Sequence, residues 1–545
     1  MKKYIGKIKW YIVIQVFFEA LCTLTAAAVP YIQKLLFDNA LGKEMKIVFL
    51  LTLLYFACII SGLIFAFITD SYSWKGAIGF EMALKRDFFK AISHYSYKRF
   101  AKRDIGEYIS LQGNDITALE QDYLTPLIAI LKSINMLIIY GIFLFVFVDW
   151  RIALIIFLAS LASVFVPKIT AKTLSKRRNS YLAQMGCYVS RIKDFWEGFK
   201  LINNRTRDSI QGEHEKVLKD TADKRYHYGK FKVITLIINA FVIKFVGVAA
   251  FFAVGILLYK GEITIGTGVA TFGYIQCFIE PIDTILDCIN TMNSLREIKS
   301  KVLGYIEDNT PSETIPKDRF DSNITFDKVS INYDAFSLKD FSYRFEKGKK
   351  YALIGHSGSG KSTIVNTLMK YIEADCGSIY IDGTSLYTLD TSNIICCINQ
   401  NEHMFADHFM NNVTLFNSYS KAKASKIMDS LKLKMLNTIQ DKDNCQLLSG
   451  GEKQILGIIR MLTADTPICI MDEPFSATDV NTTKVLENTL MNMKNKTIIM
   501  VTHKLSREQL EQFDEIILMD SGKVVQSGSY DYISNTLEFQ KLLSK

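Results

Sequence analysis

At 545 residues the chain is too long for one ordinary core, and about 150 residues per domain implies several domains or one elongated membrane unit. Hydrophobic residues make up 49% beside 22% charged residues, with mean hydropathy +0.14, so apolar and charged stretches are segregated along the chain. The net charge of +9 crowds around apolar spans without an aromatic-basic recognition motif, which argues against nucleic acid and for a lipid membrane as partner.

Met1-Lys2-Lys3-Tyr4 followed by apolar residues mimics a secretory signal, but the run extends past Ala28 without a cleavage-site context and reads as an uncleaved first transmembrane helix. The few residues before it predict no leader-processing domain ahead of this span. Six spans, each near the ~20 apolar residues a bilayer requires, are expected at 10–38, 47–70, 122–148, 152–170, 232–259 and 264–290. Asp149-Trp150-Arg151 and Lys260-Gly261-Glu262 form tiny loops, whereas long, Lys/Arg-rich helical segments separate spans two from three and four from five. The basic residues place these long loops and the amino terminus on the cytoplasmic side. The ten cysteines form no CxxC pair and read as reduced thiols.

A polar stretch with Pro311 and Pro316 reads as a linker, and from Ile324 short β-rich runs alternate with helical segments, the mark of an α/β sheet. Glu515 to Val525, with Asp520-Ser521-Gly522-Lys523 at the turn, predicts a hairpin. The expected fold class is multi-domain: an all-α six-helix transmembrane domain over 1–305, a linker over 306–322, and an α/β domain over 323–545.

After the run Tyr351 to Ile354, Gly355-His356-Ser357-Gly358-Ser359-Gly360-Lys361-Ser362-Thr363 fits GxxxxGK[ST]. Glycines let backbone N–H groups converge on a polyphosphate, the lysine adds positive charge, and Ser362 offers a hydroxyl to Mg²⁺. Leu448-Ser449-Gly450-Gly451-Glu452 follows about 90 residues later, and Ile468-Cys469-Ile470-Met471-Asp472-Glu473-Pro474 soon after. An apolar strand ending in Asp472 suits a metal-binding carboxylate held rigidly beside a phosphate loop, and Glu473 is placed to polarise water.

In this order of motifs the chain resembles an ATP-binding cassette (ABC) transporter of the exporter type, a half-transporter with membrane domain first and ATPase second, over essentially its whole length. The resemblance implies ATP and Mg²⁺ as cofactors. It makes Lys361, Gln400, Glu473 and His503 catalytic, with Gln400 joining Ser362 and Asp472 at the metal. It implies that Gly355, Ser357, Gly358, Ser359, Gly360, Lys361, Ser362 and Thr363 bind nucleotide, with Tyr333 stacking on adenine. Ser449, Gly450 and Gly451 would contact the nucleotide of a second subunit, so productive sites need two chains, identical in a homodimer or different in a heterodimer. Ser476-Ala477-Thr478-Asp479 matches the D-loop. Gly106-Glu107-Tyr108-Ile109 with Asn114-Asp115, and Glu197-Gly198-Phe199-Lys200-Leu201-Ile202, resemble the loop segments that dock onto the ATPase. Departures are Glu452 for Gln, His356 for Pro, Thr478 for Leu, and Asp443-Asn444-Cys445 before the signature.

Glu280, Asp283 and Asp287 stand at i, i+3, i+7 on one face of span six, and Glu19 lies within span one. Charges inside spans face partners or aqueous cavities. One reading is an acidic cavity for a cationic or peptide cargo; the other is ion pairing with Lys132, Lys244 or the partner subunit. The function expected is ATP-driven export of a peptide, drug-like molecule or lipid across a bacterial cytoplasmic (inner) membrane, with the ATPase domain cytoplasmic. An importer of exporter-like fold and an ATP-regulated sensor or channel stand as alternatives.

Overall fold

The computed structural model describes residues 1–41, 45–147, 150–151, 153–154, 166–307, 314–333, 336–433 and 435–543. The chain divides into two compact units, Met1–Ser93 with Asp104–Asn309, and His94–Arg103 with Thr310–Lys545. Placing His94–Arg103 in the second unit departs from an unbroken membrane domain over 1–305.

The first unit is helical. It contains α1 (Lys2–Lys7), α2 (Lys9–Leu41) and α3 (Met45–Ser93). Of these, α3 has 49 residues and is about 74 Å long, well beyond a hydrocarbon core of roughly 30 Å. Its membrane-type apolar pattern fades near residue 70, but Phe80, Leu84, Phe88 and Ala91 continue at helical spacing and are almost wholly buried. An amphipathic stripe therefore carries the helix on after the lipid-type sequence has ended.

In α2, Pro30 lies inside the helix, where it removes one backbone donor. The buried Tyr274 donates its hydroxyl to Ala27 O at 2.6 Å, three residues away, and Asp38 accepts from Thr264 Oγ1 and Gly266 N at 3.0 and 3.1 Å. These bonds pin α2 to the later helix that contains Tyr274. Glu19 lies 3.7 Å from Lys132, so its intramembrane charge has the ion-pair partner expected of it.

Beyond the short α4 (Tyr97–Phe100), Asp104 caps α5 (Ile105–Ser110) by accepting from Gly106 N. Helix continues through π turns at Leu111–Asp115 and Glu120–Leu124 into α6 (Thr125–Phe147). Then come α7 (Val166–Glu197), α8 (Arg207–Tyr259), α9 (Ile265–Ser294) and α10 (Arg296–Glu307). Among the described residues three stretches are long and apolar enough to cross a membrane: Lys9–Ala40, Met45–Ser93 and Ile105–Phe147. The expected spans at 232–259 and 264–290 lie on the continuous helices α8 and α9, and the span at 152–170 falls mostly outside the described residues.

Among the described residues the second unit holds a six-stranded sheet, a four-stranded sheet and a short parallel pair of Ile315–Pro316 with Leu389–Asp390. The strands of the two larger sheets are β1 (Asn323–Tyr333), β2 (Phe336–Glu346), β3 (Lys350–Gly355), β4 (Cys376–Ile381), β5 (Thr384–Ser385), β6 (Ile395–Ile398), β7 (Ile468–Asp472), β8 (Thr497–Val501), β9 (Glu515–Asp520) and β10 (Lys523–Gly528). One sheet has the order β10-β9-β3-β8-β7-β6 and is parallel except for the final hairpin; the other, β2-β1-β4-β5, is antiparallel. Strands covered on both faces read as unbroken apolar runs, and Tyr351 to Ile354 and Thr497 to Val501 are all buried. Helices α11 (Lys361–Leu368), α12 (Phe409–Thr414), α13 (Gly450–Ala464) and α14 (Val480–Met491) flank these sheets.

Helix α4 lies in the His94–Arg103 segment of this unit. Ser96 caps it by accepting from Arg99 N, the Tyr97 ring lies 4.5 Å from that of Tyr371, and Lys98 pairs with Glu373. In the expected first docking segment, Glu107 pairs with Lys301 at 2.8 Å, and the buried Tyr108 meets the Tyr305 ring. The second expected segment forms a short 3-10 turn at Phe199–Leu201, with Phe199 and Leu201 exposed.

Candidate functional site

Strand β3 delivers the chain into the phosphate-loop sequence, and α11 leaves it with Gly360 as its N-cap. Gly358 and Gly360 take φ of 78° and 103°, which glycine adopts without steric cost and which turns successive N–H groups inward. Lys361 is buried and donates Nζ to Gly355 O at 2.9 Å and His356 O at 2.8 Å, with Ser359 Oγ at 3.4 Å. Burial pulls its ammonium below the usual lysine range, opposed by Glu473 and Asp472. Ser362 is exposed at the head of α11, and Thr363 is half-buried.

Parallel pairing brings the other motifs to the same sheet edge. Asp472, the last residue of β7, is registered with Val501 at the end of β8, and β8 pairs with β3. Burial raises the Asp472 carboxyl above its ordinary range, against a hydrogen bond from Ser362. Glu473 has φ 50°, left-handed backbone that costs a non-glycine residue about 1 kcal/mol or more, and its N–H donates to Val501 O at 3.1 Å. Gln400 Nε2 donates to Glu473 Oε2 at 3.0 Å, and His503 Nε2 lies 2.8 Å from Glu473 Oε1. Each oxygen of this carboxylate therefore has a partner. Such a group, oriented from both sides, can take a proton from a water placed over it.

Ser449 is the N-cap of α13 in a full capping box: its Oγ accepts from Glu452 N at 3.4 Å, and Glu452 Oε2 accepts Ser449 N–H at 2.7 Å. Glutamate serves this box as well as glutamine does, which accounts for the departure at 452. Gly450 and Gly451 expose backbone at the positive end of the helix dipole. A Cβ on Gly451 would lie 2.5 Å from Ala477 O, so the D-loop packs directly on the signature. Gln454, unremarked in the sequence, ties them further: it accepts Ala477 N–H at 3.0 Å and donates to Ser476 Oγ at 2.7 Å and Gln400 O at 3.4 Å. Its position on α13 one turn after Ser449 is the signal that could have found it. The side chain of Tyr333 lies outside the described residues.

In the helical unit, Glu280, Asp283 and Asp287 of α9 line one cavity of about 850 Å³ together with Lys244 of α8. Val248, Phe251, Phe272 and Ile275 supply its apolar wall.

Two family models match the chain: "ABC transporter transmembrane region" over residues 12–282 and "ABC transporter" over 338–476. The chain is 25% identical over 524 residues to an ATP-dependent lipid A-core flippase of Haemophilus ducreyi, covering 91% of this chain and 87% of that protein. It is 27% identical over 532 residues to one of Wigglesworthia glossinidia brevipalpis, covering 91% and 89%. A solved bacterial Atm1-family ABC exporter with ATP bound shares the fold, with TM-score 0.80 at 20% identity over 99% of this chain and 98% of that one.

Proposed function

Because the chain belongs to the ABC transporter family, as an exporter-type half-transporter with its membrane region fused ahead of its ATPase, we propose that two identical copies form one exporter. The ATPase binds and hydrolyses ATP and couples it to transport across the membrane that the helical unit crosses. In the proposed assembly, residues 355–363 of one copy hold the phosphates of ATP, and Ser449, Gly450 and Gly451 of the other close over them. Glu473 is the general base, held by Gln400 and His503. That two-sided hold on Glu473, beside Asp472 and Lys361, is the observation that carries the reading.

Ser362, Asp472 and Gln400 offer only oxygen donors, the set a Mg²⁺ ion prefers, and we assign the metal to them. When bound, the ion would neutralise charge on the phosphates. The amino terminus and the ATPase unit are assigned to the cytoplasmic side of a bacterial inner membrane, in keeping with the basic long loops.

Glu473→Gln keeps the shape of the side chain and removes the base. ATP binding is expected to persist while turnover falls about 10²–10⁴-fold. Steady-state hydrolysis near the wild-type rate would sink the assignment.

From the relatives we carry over only that the cargo is membrane-borne. The cavity of this chain sets three carboxylates against one lysine above an apolar wall, which favours a cationic amphipath over an anionic one. Flux of a fluorescent cationic amphipath into inverted vesicles is expected to fall at least about tenfold in D283N/D287N. Equal flux of the wild type and this variant, or preference for an anionic lipid, would remove the acidic residues from cargo selection. The same flux direction separates export from import, and loss of turnover in Glu473→Gln without loss of any ATP-gated conductance would favour a channel.

A further inference from the structure

Two residues beyond Gln400 lies a carboxylate that the hydrolytic scheme leaves unused. The Glu402 side chain is 8% exposed, and a charge so buried needs partners. Its Oε1 accepts Asn399 N–H at 2.8 Å, closing the 399–402 turn on which Gln400 is carried. Its Oε2 lies 3.3 Å from Arg460 Nη1. Arg460 in turn donates Nε to Asn412 O at 2.9 Å and its terminal nitrogens to His403 O at 3.4 Å. Burial pushes the Glu402 carboxyl up, and the Asn399 N–H and Arg460 oppose it.

The partners on α13 are ordered. Gln454, Gly457 and Arg460 recur every three residues, hence along one helix face. Gln454 bonds to Gln400 O, and Arg460 bonds to Glu402 and His403. Between them a Cβ on Gly457 would stand 2.8 Å from Glu402 Cγ, so the helix keeps a gap at the place the carboxylate side chain occupies. This helix begins at Ser449. One face thus carries the turn of Gln400, and its N-terminus carries the signature.

We propose that Glu402 is a positioning residue that holds Gln400 against Glu473 and fastens that turn to the helix headed by Ser449. Rigid attachment makes Gln400, which serves the chain's own phosphate loop, and Ser449, which serves the partner's nucleotide, move as one body. The proposal rests on the roles given above to Gln400, Glu473 and Ser449.

The test uses the full-length transporter in lipid vesicles, with Glu402→Gln, Gln400→Ala, their double variant and Glu473→Gln. Glu402→Gln is expected to lower kcat for ATP about tenfold and to leave KM within about twofold, because the interaction is exerted on the hydrolytic groups rather than on nucleotide binding. In the Gln400→Ala background the same change is expected to alter kcat by less than about twofold, since residues acting through one another are not additive. Gly457→Ala, which crowds the carboxylate from the helix side, is expected to give the same selective loss of kcat, and it carries the comparison should Glu402→Gln fail to fold as judged by ATP binding. A kcat within about twofold of wild type, or a tenfold loss that persists in full without Gln400, overturns the proposal. Undiminished hydrolysis by Glu473→Gln would instead overturn the reading of the site itself.

Discussion

Removing the ring of Tyr97 is expected to loosen the 94–103 segment from the ATPase unit. Tyr97 is 53% exposed, so about half of its ring surface, roughly 80 Å², is covered, worth about 2 kcal/mol at ~25 cal/mol per Å². The contact with Tyr371 at 4.5 Å adds about 1 kcal/mol, while alanine keeps some of the packing. A net loss near 2 kcal/mol corresponds to roughly thirtyfold more frequent opening. A four-residue helix such as α4 has no stability of its own, so its amides are protected only while it is docked. Hydrogen exchange of the full-length protein in lipid nanodiscs reads this directly at Arg99, Phe100 and Ala101, whose N–H groups bond to Ser96 O, Ser96 O and Tyr97 O. In Tyr97→Ala these amides are expected to exchange about thirtyfold faster, while those of β8 keep their rates. The ion pair of Lys98 with Glu373 has half-exposed partners and contributes at most about 1 kcal/mol, so Lys98→Glu has a smaller effect that Glu373→Lys reverses. Exchange at 99–101 within about twofold of wild type in Tyr97→Ala would refute the docking argument.

Two further outcomes are expected. Gly451→Ala drives a Cβ to 2.5 Å from Ala477 O, whereas Gly450→Ala makes an ordinary 3.5 Å contact with Ala477 Cβ. The first is expected to cost about 1–3 kcal/mol and the second under about 1, read as the thermal midpoint of the ATPase unit; the reverse order would contradict the packing of the D-loop on the signature. The second outcome concerns acid. Burial raises the Asp382 carboxyl, but the N–H groups of Asp321, Ser322 and Asn323 and the Lys317 ammonium outweigh it and hold the carboxyl below its ordinary range. The unfolded chain then binds the extra proton first, so this stabilisation is complete above the ordinary aspartate pKa of about 3.9 and fades as pH falls below it toward the lower native value. Asp382→Asn is expected to flatten the acid limb of the thermal midpoint between about pH 5 and 2, and an unchanged slope would exclude Asp382 as its source.

The order of motifs from Gly355 to His503 was readable because each is a local string, and a parallel sheet then brings the ends of β3, β7 and β8 together. Among the described residues apolar runs located three helices long enough to cross a membrane but not their ends: α3 outlasts its lipid-type sequence because Phe80, Leu84 and Phe88 are buried against protein. What was illegible rests on contacts between distant residues. Nothing near Tyr97 announces Tyr371, and nothing near Glu107 announces Lys301. Glu402 reads as an ordinary surface carboxylate until Arg460 and the gap at Gly457 are placed beside it. The cavity acids were legible as one helical face, whereas the Lys244 that joins them comes from another helix.

The left-handed backbone of Glu473 has a consequence for anyone seeking a hardier form of this protein. Glycine fits that conformation at no steric cost and asparagine at little, so a search that rewards heat resistance alone would replace the glutamate and be credited with an improvement. With Glu473 as the general base proposed above, that stabilising substitution would be the one that silences the ATPase. On that proposal, glutamate at this position reflects what the chain must do rather than how it prefers to fold.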